Sequence, residues 1–143
     1  MISTYGLNLS QEEIVFLFNI SNGSSTTAIT FSKNDFIGTY KNIVYLATTS
    51  KDLNLIDFID KSLKNDENLL MLEKLIIFFL RRTIGHYSGE LFNNETTFLN
   101  YYRQKNKIDL IFGKIDKISD IFLKINNFNL DKRQALINIL SIL

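Results

Sequence analysis

The chain has 143 residues, of which 45% are hydrophobic and 22% charged, and a formal net charge of +1. That length and balance suit one globular domain with a real core, and they exclude a molecule-wide field that would draw in nucleic acid, so any phosphate-binding surface must be local. With no cysteine and one histidine, disulfides and cysteine-ligated zinc are excluded, and a transition-metal site within one chain lacks ligands; neither metal nor cofactor is expected.

Met1 to Ser10 has no basic region followed by an apolar run, so no signal peptide is expected. The absence of proline and the presence of only six glycines favour an all-α fold: a single-domain bundle of about five to seven helices over residues 1–143. Ser10 and Glu13 make a capping box that opens a first helix with Ile14, Leu17 and Phe18 on one face. Gly23 and its flanking serines end that helix. Thr26 to Phe31 is rich in β-branched residues and reads as the one place for a short strand or irregular loop.

Ser32 and Asn34 are candidate caps for the next helix, which sets Phe36, Ile37, Tyr40, Ile43, Val44 and Ala47 at helical spacing. Thr49 or Ser50 caps a third helix, carrying Leu53, Ile56, Ile59 and Leu63. Asp66 opens a fourth that runs from Glu67 to about Arg82. It is apolar nearly all round toward its C-terminal end, which makes it the expected central helix. Its longest apolar run, Leu75 to Leu80, lies between Lys74 and Arg81 and falls far short of the roughly 20 residues that span a bilayer. No membrane segment is expected, and a cytoplasmic location follows as the expectation.

Gly85 and Gly89 bracket His86 and Tyr87 and mark a break. Asn94 or Thr96 then starts a helix with Phe98, Tyr101 and Tyr102. From Ile108 to Ile125, apolar residues at 108, 111, 115, 118, 122 and 125 alternate spacings of three and four, while the lysines and aspartates fall elsewhere on the wheel. Packing within a bundle accounts for that stripe. Asn129 caps a last helix whose apolar end, Leu136 to Leu143, needs cover from the chain's own core or from a second subunit.

The candidate site is Arg81 with His86. An imidazole titrates near neutral pH, and a guanidinium is a permanent planar cation that grips phosphate oxygens in pairs. The structural alternative is that histidine and arginines simply cap the last carbonyls of a buried helix.

An apolar helix running into Leu80-Arg81, then Ile84, Gly85 and His86, resembles the signature of the HEPN superfamily (higher eukaryotes and prokaryotes nucleotide-binding domain): an arginine, four to six intervening residues and a histidine. Here four residues intervene. Arg82 stands where that signature usually has asparagine, and Tyr87 directly follows the histidine.

What the resemblance implies is metal-independent RNA cleavage, in toxin–antitoxin, phage-defence or stress-response settings. The ribose 2′-hydroxyl attacks phosphorus, a base takes its proton, an acid protonates the departing 5′-oxygen and a cation stabilises the phosphoryl oxygens. His86 and Arg81 would supply those groups. One imidazole does not easily act as base and acid together, and such domains commonly form homodimers in which two Arg/His pairs share a cleft.

RNA is then the expected substrate, and an antitoxin or regulatory protein a further partner. Arg82, Tyr87, Tyr102 and Arg103 are the candidate substrate contacts. The segment Tyr101 to Lys107 interleaves aromatics with cations, as stacking plus phosphate contact requires, although tyrosines at helical spacing also suit a core. The alternative functions are a non-catalytic helical adaptor subunit and a degenerate HEPN domain that binds RNA or nucleotide without cutting.

Overall fold

The computed structural model describes residues 10–21, 23–49, 55–85, 89–128 and 130–143, with Glu12 by its backbone alone. Among them are eight α-helices and no strand: α1 (Gln11–Ile20), α2 (Ser25–Ser32), α3 (Phe36–Thr48), α4 (Leu55–Ser62), α5 (Asp66–Ile84), α6 (Glu95–Lys105), α7 (Ile108–Phe128) and α8 (Lys132–Ile142). The all-α expectation holds, with one helix more than the upper figure of seven.

The extra helix is α2, formed by the segment expected to be extended. β-branching disfavours a helix by only a few tenths of a kcal/mol per residue. Against that, the Ser24 hydroxyl accepts a hydrogen bond from Thr27 N (3.3 Å) and the Thr30 hydroxyl donates to Thr26 O (3.0 Å), while Phe31 is buried. Capping and burial outweigh propensity.

Ser10 caps α1 as expected, its hydroxyl accepting from Glu13 N at 3.2 Å. The inward face, however, is Phe16, Leu17 and Ile20, and Phe18 is 63% exposed. Asp35 caps α3 in place of Ser32 or Asn34, its Oδ1 accepting from Gly38 N at 3.0 Å. Ser32 and Asn34 instead donate to Ile29 O and Thr30 O at the end of α2. Helix α4 begins only at Leu55; Ser50 and Leu53 lie outside the described residues, and Thr49 closes α3. Ile56 of α4 faces outward, while Phe58 and Ile59 are buried.

Helix α5 is central. It packs against α1, α2, α3, α4, α6 and α7, and Leu72, Leu75, Ile76, Phe79 and Leu80 are fully enclosed. Asn65 starts it by accepting from Asn68 N at 2.7 Å. Helix α7 lies between α5 and α8 and buries Ile111, Ile118, Phe122 and Ile125, although Ile108 is exposed. Asp131 caps α8; Asn129, the expected cap, lies outside the described residues. Leu136, Ile139 and Leu143 are buried in the protein's own core, so α8 needs no second subunit to cover those side chains. Among the described residues the buried apolar side chains belong to one cluster. Among the described residues no helix is long and apolar enough to cross a membrane.

Candidate functional site

Two arginines occupy the last turn of α5. Successive residues on a helix point about 100° apart, so the two side chains meet different surroundings. Arg81 is exposed. Arg82 turns inward and lies over the Phe78 ring, 5.8 Å from its centroid, with only 12% of its side chain accessible.

The partner of Arg82 is Glu95, the first residue of α6, whose carboxylate is fully buried. Arg82 Nε donates to Oε2 at 2.8 Å and Nη2 donates to Oε1 at 2.9 Å, the two-pronged geometry that makes guanidinium–carboxylate pairs strong. The Tyr40 hydroxyl of α3 donates to Oε2 at 2.5 Å, and Leu91 N donates to Oε1 at 2.8 Å. Arg82 Nη2 also donates to Gly89 O at 2.9 Å. One buried charge pair thus joins α3, α5, α6 and the connection before α6.

Every atom of that carboxylate has a donor, which is the condition for burying a charge. Burial by itself raises the Glu95 pKa. The hydrogen bonds from Arg82, Tyr40 and Leu91 N, with the guanidinium charge, outweigh it and hold the carboxyl below its ordinary value. Burial likewise works against the Arg82 charge, and Glu95 more than offsets it, so the guanidinium is held above its ordinary value. Burial, reinforced by the facing carboxylate, pushes the Tyr40 phenol well above the ordinary tyrosine range.

Acid should expose this linkage. A carboxyl with a lowered folded-state pKa stabilises the fold fully above the unfolded value of about 4.3, and that stabilisation is lost as pH falls toward the lowered value. Glu73 of α5 works in the opposite sense: burial raises its pKa, so protonating it favours the fold as pH falls. Urea unfolding followed from neutral pH down to pH ~3 should show stability falling in the wild type and a shallower slope in Glu95→Gln.

The connection from α5 to α6 is held at both ends. Gly85 N donates to Arg81 O at 3.1 Å, closing α5. Gly89 (φ +75°) and Asn94 (φ +71°) take the left-handed conformation that suits glycine and asparagine, turning the chain back toward α6. Asn94 makes no side-chain cap; Glu90 replaces it by accepting from Thr96 N at 3.1 Å, a carboxylate at a helix N-terminus.

Of the sequence-derived site residues, His86 and Tyr87 lie outside the described residues. Arg81 and Arg103 are exposed. Arg82 is corrected to an internal role, because Glu95, Gly89 O and Phe78 already occupy its guanidinium. Tyr102 is corrected too. It is 1% exposed, its ring lies edge-on to Phe79 at 5.1 Å, and its hydroxyl donates to Leu143 O at 3.0 Å, so no base has access to its faces. Lys114 Nζ completes that cluster, donating to the Tyr102 hydroxyl, Asn106 Oδ1 and Leu143 O. The exposed tyrosine of the pair is Tyr101.

Sequence reasoning missed Tyr40 and Glu95. A usable signal was the doublet itself: of two adjacent arginines ending a buried helix, one must point toward the core, and it then needs a carboxylate from a neighbouring element. Among the described residues no group of three or more acidic residues or histidines could hold a metal ion. Comparison with protein-family models, curated proteins and solved structures finds no match for the chain.

Proposed function

We propose that this protein is a metal-independent endoribonuclease in which Arg81 and His86 act on the scissile phosphate, as the resemblance to HEPN domains implies. The observation that carries this reading is the contrast between the adjacent arginines. Arg82 is committed to Glu95 inside the protein. Arg81 is exposed at the end of α5, no carboxylate pairs with it among the described residues, and it precedes His86 by five positions. An exposed guanidinium keeps both prongs available for phosphate oxygens. The unusual Arg82 next to it serves the fold, so it does not compete for the same ligand.

In this reading His86 moves the proton and Arg81 stabilises the charge that builds on the phosphoryl oxygens. The working unit is a homodimer that provides a second imidazole as acid. Support comes from α7, where Ile108, Phe112 and Leu123 are exposed along one side of the helix, the kind of apolar surface a partner covers. An antitoxin or regulatory protein would suit the same surface. The protein acts in the cytoplasm, where RNA is found. The same stripe also favours the non-catalytic adaptor as a second reading.

Purified protein mixed with single-stranded RNA in EDTA decides between the two. The expected products carry 2′,3′-cyclic phosphates, as attack by the 2′-hydroxyl demands, and none should form with His86→Ala. RNA left whole by the wild type would overturn the ribonuclease reading.

A further inference from the structure

Helices α3 and α6 bring aromatic rings and lysines together at the edge of the core: Lys41, Tyr45, Phe92 and Phe98 are half-buried, and Tyr101 and Lys105 are exposed. Tyr45 of α3 lies edge-on to Phe98 of α6 at 5.3 Å and to Phe92 of the connection at 6.1 Å, and Phe92 lies 6.2 Å from Phe98. Lys41, one turn before Tyr45, holds its ammonium 5.7 Å from both the Tyr45 and the Phe92 ring centres. One turn beyond Phe98, Tyr101 is 40% exposed, and Lys105 sits 4.7 Å above its ring. Phe98, Tyr101 and Lys105 share one face of α6, since spacings of three and four bring residues to the same side.

The charges on these two helices are one-sided. Lys41 is the only charged residue within α3. Helix α6 carries Arg103 and Lys105 at its end, followed by Lys107, and its one carboxylate is the buried Glu95. Of the acids that flank these segments in sequence, Asp35 and Glu90 are engaged at helix N-termini, and Asp109 of α7 is exposed two positions after Lys107. A protein of net charge +1 thus presents a local cationic surface with aromatic rings between its cations.

We propose that this α3–α6 face is a binding surface for single-stranded RNA, with bases stacking on Tyr101 and on the Tyr45–Phe92–Phe98 edge and phosphates meeting Lys41 and Lys105. The inference rests on the ribonuclease reading for its choice of RNA. Stacking on rings suits any base, and ammonium groups follow the backbone, so such a surface tolerates sequence and prefers unpaired strands. The tyrosine that serves is Tyr101, whereas Tyr102 is enclosed. A purely structural role for the rings, as a roof over Tyr40 and the core, predicts stability effects and no change in RNA affinity.

The test uses a fluorescently labelled, mixed-sequence single strand whose ribose 2′-hydroxyls are all methylated, so that it binds without being cut. The wild type should bind it, and should bind the corresponding duplex more weakly. Tyr101→Leu should weaken binding about tenfold, the loss expected for one stacked base, while Tyr101→Phe retains it. Lys41→Gln and Lys105→Gln should each weaken binding and flatten the salt dependence by about 0.7 in log–log slope. Thermal midpoints of Tyr101→Leu and Lys105→Gln should stay near wild type, since both side chains are exposed. No binding of the strand by the wild type, equal binding of duplex, or wild-type affinity in the combined Tyr101→Leu, Lys105→Gln variant would each overturn the assignment. Binding of the methylated strand by a protein that leaves ordinary RNA whole keeps this surface and removes the ribonuclease reading. Cleavage that proceeds unchanged in the combined variant does the reverse.

Discussion

Replacing Glu95 with alanine is expected to destabilise the fold by about 3–5 kcal/mol, the cost of removing one partner from a buried ion pair. The guanidinium of Arg82 would remain enclosed without the two hydrogen bonds it makes to the carboxylate, and the Tyr40 hydroxyl and Leu91 N would lose their acceptor. For a chain of this size the thermal midpoint should drop by roughly 10 °C, measurable by circular dichroism. Glu95→Gln retains the shape and loses the charge, so it should fall between wild type and Glu95→Ala. Exchanging the whole set, with Tyr40→Phe, Arg82→Met and Glu95→Leu together, should cost less than Glu95→Ala alone, because no uncompensated charge is left behind. A Glu95→Ala protein that melts within a degree of wild type would show that the pair does not hold these helices together.

The second large effect separates Arg81 from Arg82. Arg81→Ala should lower RNA cleavage by at least about 100-fold, the scale for losing one transition-state charge stabiliser, with its melting curve unchanged. His86→Ala should lower cleavage by about 10²–10⁴-fold for loss of the proton-transfer group. Arg82→Ala should do the opposite, destabilising the fold on the scale of Glu95→Ala while its folded fraction still cuts RNA. Arg81→Lys should recover only part of the activity, since an ammonium has no planar fork for two phosphate oxygens. Single-turnover cleavage on samples matched for folded protein provides the comparison. Cleavage that survives Arg81→Ala, or equal destabilisation by both arginine variants, would remove the division of labour on which the functional reading depends.

The parts of this fold legible in the sequence are those fixed by local periodicity. The stripe in α7, the apolar surround of α5 and the inward residues of α3 follow from spacing alone, because a helix that must bury one side repeats its apolar residues every three or four positions. Caps were legible where one side chain had one donor to satisfy, as at Ser10. They were misplaced where polar residues clustered: Ser32 and Asn34 were the expected caps of α3, but both bond back to the end of α2, and Asp35 next to them takes the cap. Thr26 to Phe31 was misread because its intrinsic preference pointed one way and the burial of Phe31 the other.

The site divides along the same line. Arg81 was legible as a residue type at the end of an apolar helix, and the structure shows it exposed there. The pairing of Arg82 with Glu95 spans thirteen residues and a reversing loop, and its third member, Tyr40, comes from a helix still farther back in the chain. No periodicity encodes such a contact. The choice between Tyr101 and Tyr102 needed the orientation of α6, which depends on packing against α3 and α5.

The hydrogen bond from Leu91 N to Glu95 has a kinetic consequence. Loop amides ordinarily exchange with solvent deuterium almost at once, through fraying that involves nothing else. Leu91 cannot fray alone, because its acceptor is anchored by an arginine from the most enclosed helix and a tyrosine from another. Its amide should exchange as slowly as those of the neighbouring helices, so this stretch of irregular backbone opens in the same cooperative unit as the first turn of α6.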